Sequence, residues 1–327
     1  MRAVVIENLV GPGAARLAEV DPPGHAHHRA AGRRVLIDVG AVGLSVIDVL
    51  QSYGRYQYGV PAPYVSGSEV AGVVVDADPE SGYVVGDRVA GIVFWGGLAE
   101  QALIAPEYSI HLPDAIGYTE GAAIYLNYST AWYAYFRSGV KPGGTVLVHG
   151  AAGGVGTAVL DLAAEFGISA IAVVSTDEKA QLALDRGATH VVRSDGAWLD
   201  EVKQLTGARG VDVVLDPVGG DRITDSLRAL RVGGTLVVIG FAGGSIPAIP
   251  ANRLLLRNLT VTGISMDTMD VEYPGTLVHV RDQVQRLVDA GRITPHIGAR
   301  FPFERAVEAL ELIENRGALG KVVVELP

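Results

Sequence analysis

Two hydrophobic rhythms divide the chain. Up to about residue 120, short apolar and β-branched runs alternate with Gly, Pro and Asp. Examples are Arg34-Val35-Leu36-Ile37-Asp38-Val39, Val70-Ala71-Gly72-Val73-Val74-Val75, Asp87-Arg88-Val89-Ala90-Gly91-Ile92-Val93 and Glu100-Gln101-Ala102-Leu103-Ile104-Ala105. This spacing predicts a compact, partly antiparallel barrel-like domain. From about residue 123 strands alternate with helices. Thr145-Val146-Leu147-Val148-His149 leads into a helix over 156–166, and Ala170-Ile171-Ala172-Val173-Val174 into a helix over 177–186. His190-Val191-Val192 follows. Val211-Asp212-Val213-Val214-Leu215-Asp216 leads into a helix over 222–230, then Thr235-Leu236-Val237-Val238-Ile239-Gly240. Apolar strands joined by helical crossovers predict a doubly wound parallel sheet. Two further helices, over 280–290 and 303–315, precede a closing strand at Lys321-Val322-Val323-Val324-Glu325. This last segment is expected to fold back onto the first domain. Residues 22–34, rich in Pro, Gly, His and Arg, read as an exposed loop.

Composition narrows the function. Hydrophobic residues make up 49% of the 327 and charged residues 19%, which supports a large core and excludes a disordered chain. A formal charge of −10, without a Lys/Arg cluster, argues against nucleic acid and anionic membranes as partners. With no cysteine, disulfides, thiolate-ligated zinc and iron–sulfur sites are all excluded. The opening Met1-Arg2-Ala3-Val4-Val5-Ile6-Glu7 reads as a charged strand and not a signal peptide. No apolar run is long enough to span a bilayer. The expectation is a cytoplasmic protein.

The most informative local pattern is His149-Gly150-Ala151-Ala152-Gly153-Gly154-Val155-Gly156, set between a strand and a helix. Gly153 would let backbone approach a pyrophosphate, and Gly156 would let helix pack on strand. The helix N-terminus would add free N–H groups and the positive end of its dipole. Ala151 stands where such loops usually begin with Gly. An ordinary Gly-rich turn is the alternative, and the repeating units downstream argue against it.

The tip of the second strand decides the nucleotide. A site for NAD wants an acid there to hold the ribose hydroxyls. Ser175-Thr176 is neutral, and Lys179 follows within one helical turn. Hydroxyls with a cation suit a 2′-phosphate, so NADPH is expected. Asp177 and Glu178 have a separate explanation: Thr176 caps the helix, and acids in its first turn complement the dipole. His149 is expected to be a satisfied core residue, and His25, His27 and His28 to lie in a solvated loop, not a metal site.

Several segments resemble the medium-chain dehydrogenase/reductase superfamily, in its zinc-independent quinone oxidoreductase branch. They are Gly67-Ser68-Glu69-Val70-Ala71-Gly72, Val85-Gly86-Asp87-Arg88-Val89, residues 140–156, Asp216-Pro217-Val218-Gly219-Gly220 and Gly317-Ala318-Leu319-Gly320-Lys321-Val322-Val323. The resemblance implies a GroES-like β-barrel catalytic domain over 1–122 and 266–327, and a Rossmann domain over 123–265. Zinc-dependent relatives carry His where this chain has Ser68, so both zinc sites and their Lewis-acid chemistry are expected to be lost. What remains is hydride transfer from NADPH to an electron-poor acceptor such as a quinone.

The resemblance also implies residue roles. Cofactor contacts are expected at Ala152, Gly153, Gly154 and Val155 of the loop, and at Ser175, Thr176, Lys179, Arg193 and Ser194. Others are Thr130, Val218, Gly240, Phe241, Ala242 and Arg316. Acceptor binding and proton donation are assigned to Ser45 and Tyr56. The Tyr56 phenol, with an ordinary pKa of about 10, is protonated at neutral pH. Its competing role, shared with Tyr53 and Tyr58, is to wall an apolar cleft. Asp48, Asp87, Glu69 and Gly72 read as scaffold, and Tyr128 as a sign of an altered pocket. A homodimer joined at the edge Leu259-Thr260-Val261-Thr262-Gly263 is also implied. Two alternatives stay open: reduction of an activated C=C bond in an enal or enoyl thioester, and a non-catalytic NADPH-binding sensor or structural protein.

Overall fold

The computed structural model describes residues 1–24 and 27–327, so His25 lies outside the described residues. The chain forms two compact units, one of Met1–Ser129 with Gly275–Pro327 and one of Thr130–Pro274.

In the first unit, six described strands form a sheet in the order Ile297–Pro302, Lys321–Glu325, Val35–Leu44, Glu69–Ala77, Arg88–Ile92, Ser109–His111. Gln101–Leu103 also pairs with Val35–Leu44. Pairing is antiparallel except between Ile297–Pro302 and Lys321–Glu325. A second sheet joins Ala15–Glu19, Arg2–Ile6 and Tyr64–Val65. The long strand Val35–Leu44 contributes Val35, Ile37 and Val39 to the core, then Val42 and Leu44. That change of parity follows a register shift between Val39 and Ala41, because one extra residue exchanges the faces of all that follow. Helix Ala306–Glu314 completes this core with Ala306, Ala309 and Leu310, at the three- and four-residue spacing of one helical face.

The C-terminal strand carries an unusual core residue. Lys321 is 3% exposed, and its Nζ donates to Glu69 Oε2 at 2.5 Å. Glu69 Oε1 accepts the Leu126 N–H at 2.7 Å. Gly43 makes the room: a Cβ there would lie 2.6 Å from the Lys321 stem and 1.8 Å from the Ala122 carbonyl oxygen. A glycine inside this strand therefore marks a close approach.

In the second unit the described sheet is wholly parallel, in the order His190–Arg193, Ser169–Val174, Thr145–His149, Val211–Asp216, Leu230–Val238, Thr260–Gly263. Strand order therefore runs outward in both directions from Thr145–His149. The reversal leaves a crevice at the C-terminal ends of Thr145–His149 and Val211–Asp216, where such sheets bind ligands. The core there includes Leu147, Ile171, Val173, Val214, Leu227 and Leu236.

Among its described residues segment 22–34 is a loop, mostly exposed or half-buried as expected, with two buried exceptions. His27 is 7% exposed and Ala30 fully buried. Helix Tyr125–Ser138 was also not anticipated by the periodicity. Its Tyr125, Tyr128, Tyr133 and Tyr135 are buried, so apolar rings cover more than one stripe.

Removing one partner of a buried ion pair strands the other. Lys321→Met is expected to cost about 3–5 kcal/mol. Adding Glu69→Gln should recover part of that loss, since the amide oxygen can still accept from Leu126. Denaturation midpoints of the single and double variants check this.

Candidate active site

The phosphate loop leaves the strand Thr145–His149 through Gly150, whose φ of +58° suits glycine. Gly153 N–H bonds back to the Gly150 carbonyl at 3.0 Å. Helix Gly154–Glu165 then starts from Gly153 with no side-chain cap, so its first amides are not consumed by a neighbouring hydroxyl or carboxylate. At Gly156 a Cβ would stand 2.3 Å from the Gly150 oxygen and 2.6 Å from the Ala151 carbonyl carbon. Only glycine permits this closure of helix onto loop. Ala151 and Ala152 are buried beneath it.

The next turns assemble around the same strand ends. Buried Asp216 accepts the N–H groups of Val218 and Gly219 with one oxygen, at 2.9 Å each. The Val218 side chain lies 3.0 Å from the Cβ position of Gly150. The turn at residues 240–243 rests on this bend: Ala242 N–H bonds to Pro217 O at 3.1 Å and Gly243 N–H to Val218 O at 2.8 Å. The Phe241 ring lies 2.8 Å from the Cβ position of Gly219. The structure thus brings Ala152, Gly153, Gly154, Val155, Val218, Gly240, Phe241 and Ala242 to one region. Thr130 lies, half-buried, on helix Tyr125–Ser138. Arg316 is exposed on the first unit, with a φ of +57°.

Ser175 and Thr176 stand exposed at the end of Ser169–Val174. Thr176 caps the next helix by accepting the Lys179 N–H at 3.2 Å. Arg193 pairs in register with Val174, and its guanidinium donates to the Ser175 carbonyl at 2.7 Å. Ser194 N–H bonds to Val174 O at 2.8 Å. Arg193 also pairs with Asp177, and with Asp195 at 3.0 Å. A cation is therefore fixed beside the two hydroxyl residues, but two carboxylates already engage it. Asp177 contributes to this ion pair in addition to standing in the first turn of its helix.

In the first unit, Ser45 caps helix Val46–Ser52. Its Oγ accepts the Ile47 N–H at 3.2 Å, while Asp48 Oδ2 accepts the Ser45 N–H at 2.7 Å. Ser68 Oγ donates to the same Asp48 oxygen at 2.9 Å. Asp48 is fully buried, and burial pushes its carboxyl above the usual range while these donors pull it down. Tyr56 is half-buried and meets Tyr58 edge-on at 5.6 Å. Tyr53 instead hydrogen-bonds Glu314. Tyr128 is 2% exposed and belongs to the interior.

His28 is exposed, as expected of a solvated loop, but His27 and His149 differ from the sequence reading. His27 is buried, donating Nε2–H to Val93 O at 2.9 Å and accepting the Arg29 N–H on Nδ1 at 3.1 Å. His28 stacks on Trp95 at 4.2 Å. Among the described residues no group of three or more His, Cys, Asp or Glu could hold a metal. Residues 27–29, Phe94 and Trp95 thus join the Tyr56–Tyr58 segment, and nothing in their spacing signals this. His149 is only half satisfied. Nε2 lies 2.8 Å from Ser226 Oγ, and buried Nδ1 has no hydrogen-bond partner among the described residues.

Comparison with known proteins agrees with this architecture. Residues 31–132 match the alcohol dehydrogenase GroES-like domain family, and residues 154–280 the zinc-binding dehydrogenase family. Rat quinone oxidoreductase-like protein 2 is 37% identical over 298 residues, covering 90% of this chain and 85% of the relative. Human quinone oxidoreductase is 31% identical over 100% of this chain and 98% of its own. The chain belongs to the medium-chain dehydrogenase/reductase superfamily, in its quinone oxidoreductase branch. As a member of that branch it is an oxidoreductase. The quinone oxidoreductase of Thermus thermophilus, solved also in complex with NADPH, superposes with a TM-score of 0.83 at 34% identity over all of both chains. A GroES-like unit and a Rossmann-type unit are therefore family features, here built from the contacts above.

The two buried imidazoles make stability depend on pH. Burial, the largest cause for each, lowers His27 and His149 from 6.5 to about 4. The unfolded chain thus takes up protons that the native state refuses between these values. Stability is expected to fall as pH drops from about 6.5 to about 4, by on the order of 3 kcal/mol for each group. Denaturation midpoints across this window should fall less steeply in His149→Asn.

Proposed function

We propose that the protein is an NADPH-dependent, zinc-independent reductase that delivers hydride to a quinone or a similar electrophilic acceptor. The second unit would hold the cofactor and the first unit the acceptor. Ser68 carries the zinc-independent part of this reading. Its hydroxyl is buried and donates to Asp48, where a zinc enzyme of this superfamily needs a ligand, and the chain has no cysteine to complete a site. Without a Lewis acid, the acceptor must already be electron-poor.

The glycine cradle at Gly150, Gly153 and Gly156 fits a pyrophosphate, since a side chain at Gly156 would displace the loop. Ser175, Thr176, Lys179, Arg193 and Ser194 fit a 2′-phosphate, with Arg193 exchanging a carboxylate for the phosphate. Thr130, Val218, Gly240, Phe241 and Ala242 would border the nicotinamide portion, and Arg316 the adenosine phosphate. Bound NADPH supplies the hydride. Ser45 would hydrogen-bond the acceptor carbonyl by turning its hydroxyl from Asp48, a contact of 3.3 Å. Asp48 keeps the Ser45 N–H and Ser68 hydroxyl donors when this happens. Tyr56 would donate the proton. The acidic, cysteine-free composition supports a cytoplasmic setting.

NADPH oxidation measured against a panel of quinones and enals tests this function. Turnover with quinones is expected. Tight NADPH binding with no turnover would indicate a sensor, and turnover with enals alone would indicate a C=C reductase. Tyr56→Phe should lower kcat roughly a hundredfold, the usual lower range for a general acid. Unchanged turnover across pH would remove Tyr56 as proton donor.

The same family reading supports a homodimer. Strand Thr260–Gly263 ends the described sheet, and adjacent helix Ala251–Arg257 exposes Leu255 at 78% and Leu256 at 76%. Sedimentation equilibrium should give the mass of two chains, and Leu255→Asp with Leu256→Asp that of one.

A further inference from the structure

One arginine of the second unit stands beside the strand ends without a counter-charge. Arg222 is half-buried and closes the turn Gly220–Arg222, which follows the Asp216–Gly219 bend. Among the described residues its buried Nε has no hydrogen-bond partner, and no carboxylate pairs with its guanidinium. Other arginines of this unit are engaged: Arg186 by Asp161, Arg193 by Asp177 and Asp195, Arg228 by Asp225, and Arg231 by Asp212. A partly desolvated cation with nothing opposite it is unfavourable unless a ligand completes its surroundings.

The backbone of Arg222 is fixed close to the phosphate loop. Ser226 Oγ donates to the Arg222 carbonyl at 3.0 Å and lies 2.8 Å from His149 Nε2. His149 is the residue that leads into the loop. Burial, first, and then the Arg222 charge hold its imidazole below the ordinary range, against the pull of Asp216.

Strand order sets which side of the crevice Arg222 occupies. From Thr145–His149 the chain crosses to Ser169–Val174 in one direction, and from Val211–Asp216 to Leu230–Val238 in the other. Crossovers of one hand therefore put helix Gly154–Glu165 and helix Ile223–Ala229 on opposite faces of the sheet. The phosphate loop forms one lip of the crevice, and the turn ending in Arg222 forms the other. The His149 ring lies toward the second face, where it meets Ser226 and stands edge-on to Trp198 at 5.3 Å. In the cofactor reading, loop amides take the pyrophosphate, and Ser175, Thr176 and Arg193 take the phosphorylated ribose. The base joined to that ribose is the part left without a partner, and a base lying in the crevice faces the second lip.

We propose that Arg222 is a cofactor-binding residue that stacks its guanidinium on the adenine base of NADPH. The proposal rests on assigning the cofactor to the second unit. A guanidinium is planar and weakly hydrated, and a π face attracts it. Stacking covers the half-buried cation and leaves the phosphates to the groups already named. It involves no chemical step.

Two ligands that differ only in the base test this by calorimetric titration of the full-length protein. They are adenosine 2′,5′-bisphosphate and methyl β-D-ribofuranoside 2,5-bisphosphate. The wild type should bind the adenosine compound more tightly. Arg222→Met should raise its Kd about tenfold, between the exposed and desolvated limits of a cation–π contact, and change the base-free ligand less than about twofold. Unchanged binding of the base-free ligand also shows that the variant is folded. Arg222→Trp keeps a stacking plane without charge and should stay within about threefold of wild type, since base-on-ring stacking is of similar strength. Arg222→Lys keeps the charge without the plane and should fall closer to Arg222→Met.

Equal weakening of both ligands, or rescue by Lys and not by Trp, would assign Arg222 to a phosphate and overturn the proposal. No change in Arg222→Met for either ligand would overturn it as well, leaving the cofactor reading intact. A wild type that binds neither ligand would remove the cofactor reading of the second unit and this proposal with it.

Discussion

The first unit is built around a buried Lys321–Glu69 ion pair. It joins the strand that closes the chain to the strand Glu69–Ala77, with Val35–Leu44 between them. Two opposite charges, both removed from water, are tolerated only when the pairing is close and the remaining lone pairs are used. Here the Leu126 amide takes the second Glu69 oxygen, and Gly43 leaves space for the lysine stem. The neighbouring Asp48 extends the polar interior. It feels the Lys321 charge and accepts from Ser45 and Ser68. Scaffold and candidate chemistry are thus one connected network, since Ser45 caps a helix and is also the residue proposed to meet an acceptor.

In the proposed zinc-independent reading, that network is what would hold the region around Ser68. A serine is too short and too weak a ligand to replace an imidazole, but its hydroxyl satisfies a buried carboxylate that would otherwise lose a donor. The region keeps its geometry through hydrogen bonds. In the proposed reduction, selectivity would then come from the acceptor's own electrophilicity.

The second unit follows a different logic. Its crevice arises from strand order, and its loop from the absence of a Cβ at Gly156. Backbone groups do most of the positioning. Side chains enter at the end of strand Ser169–Val174, where Arg193 is held between Ser175, Asp177 and Asp195. In the proposed binding of a 2′-phosphate, a cation already tied to carboxylates would act by exchange, which moderates its contribution relative to a free guanidinium.

Much of this was legible from sequence where the physics is local. Gly153 to Gly156 between a strand and a helix needs only backbone sterics. The parallel sheet follows from apolar runs alternating with helical ones. The rest depended on residues distant in sequence. His27 and Val93 are joined by a hydrogen bond across 66 positions, and the Glu69–Lys321 pair spans 252. A hydrophilic stretch such as 22–34 reads as loop, and it is one, but composition carries no information about which of its residues the fold will cover, here His27 and Ala30. Likewise, Asp177 beside Arg193 and the nitrogen of His149 without a described partner have no signature in spacing. The sequence by itself determined most strands and crossover helices, the glycine loop and the family, because short-range periodicity and sterics encode them. Tertiary structure alone decided which charges are buried, which are paired and which rings meet, because those depend on contacts that only folding brings together.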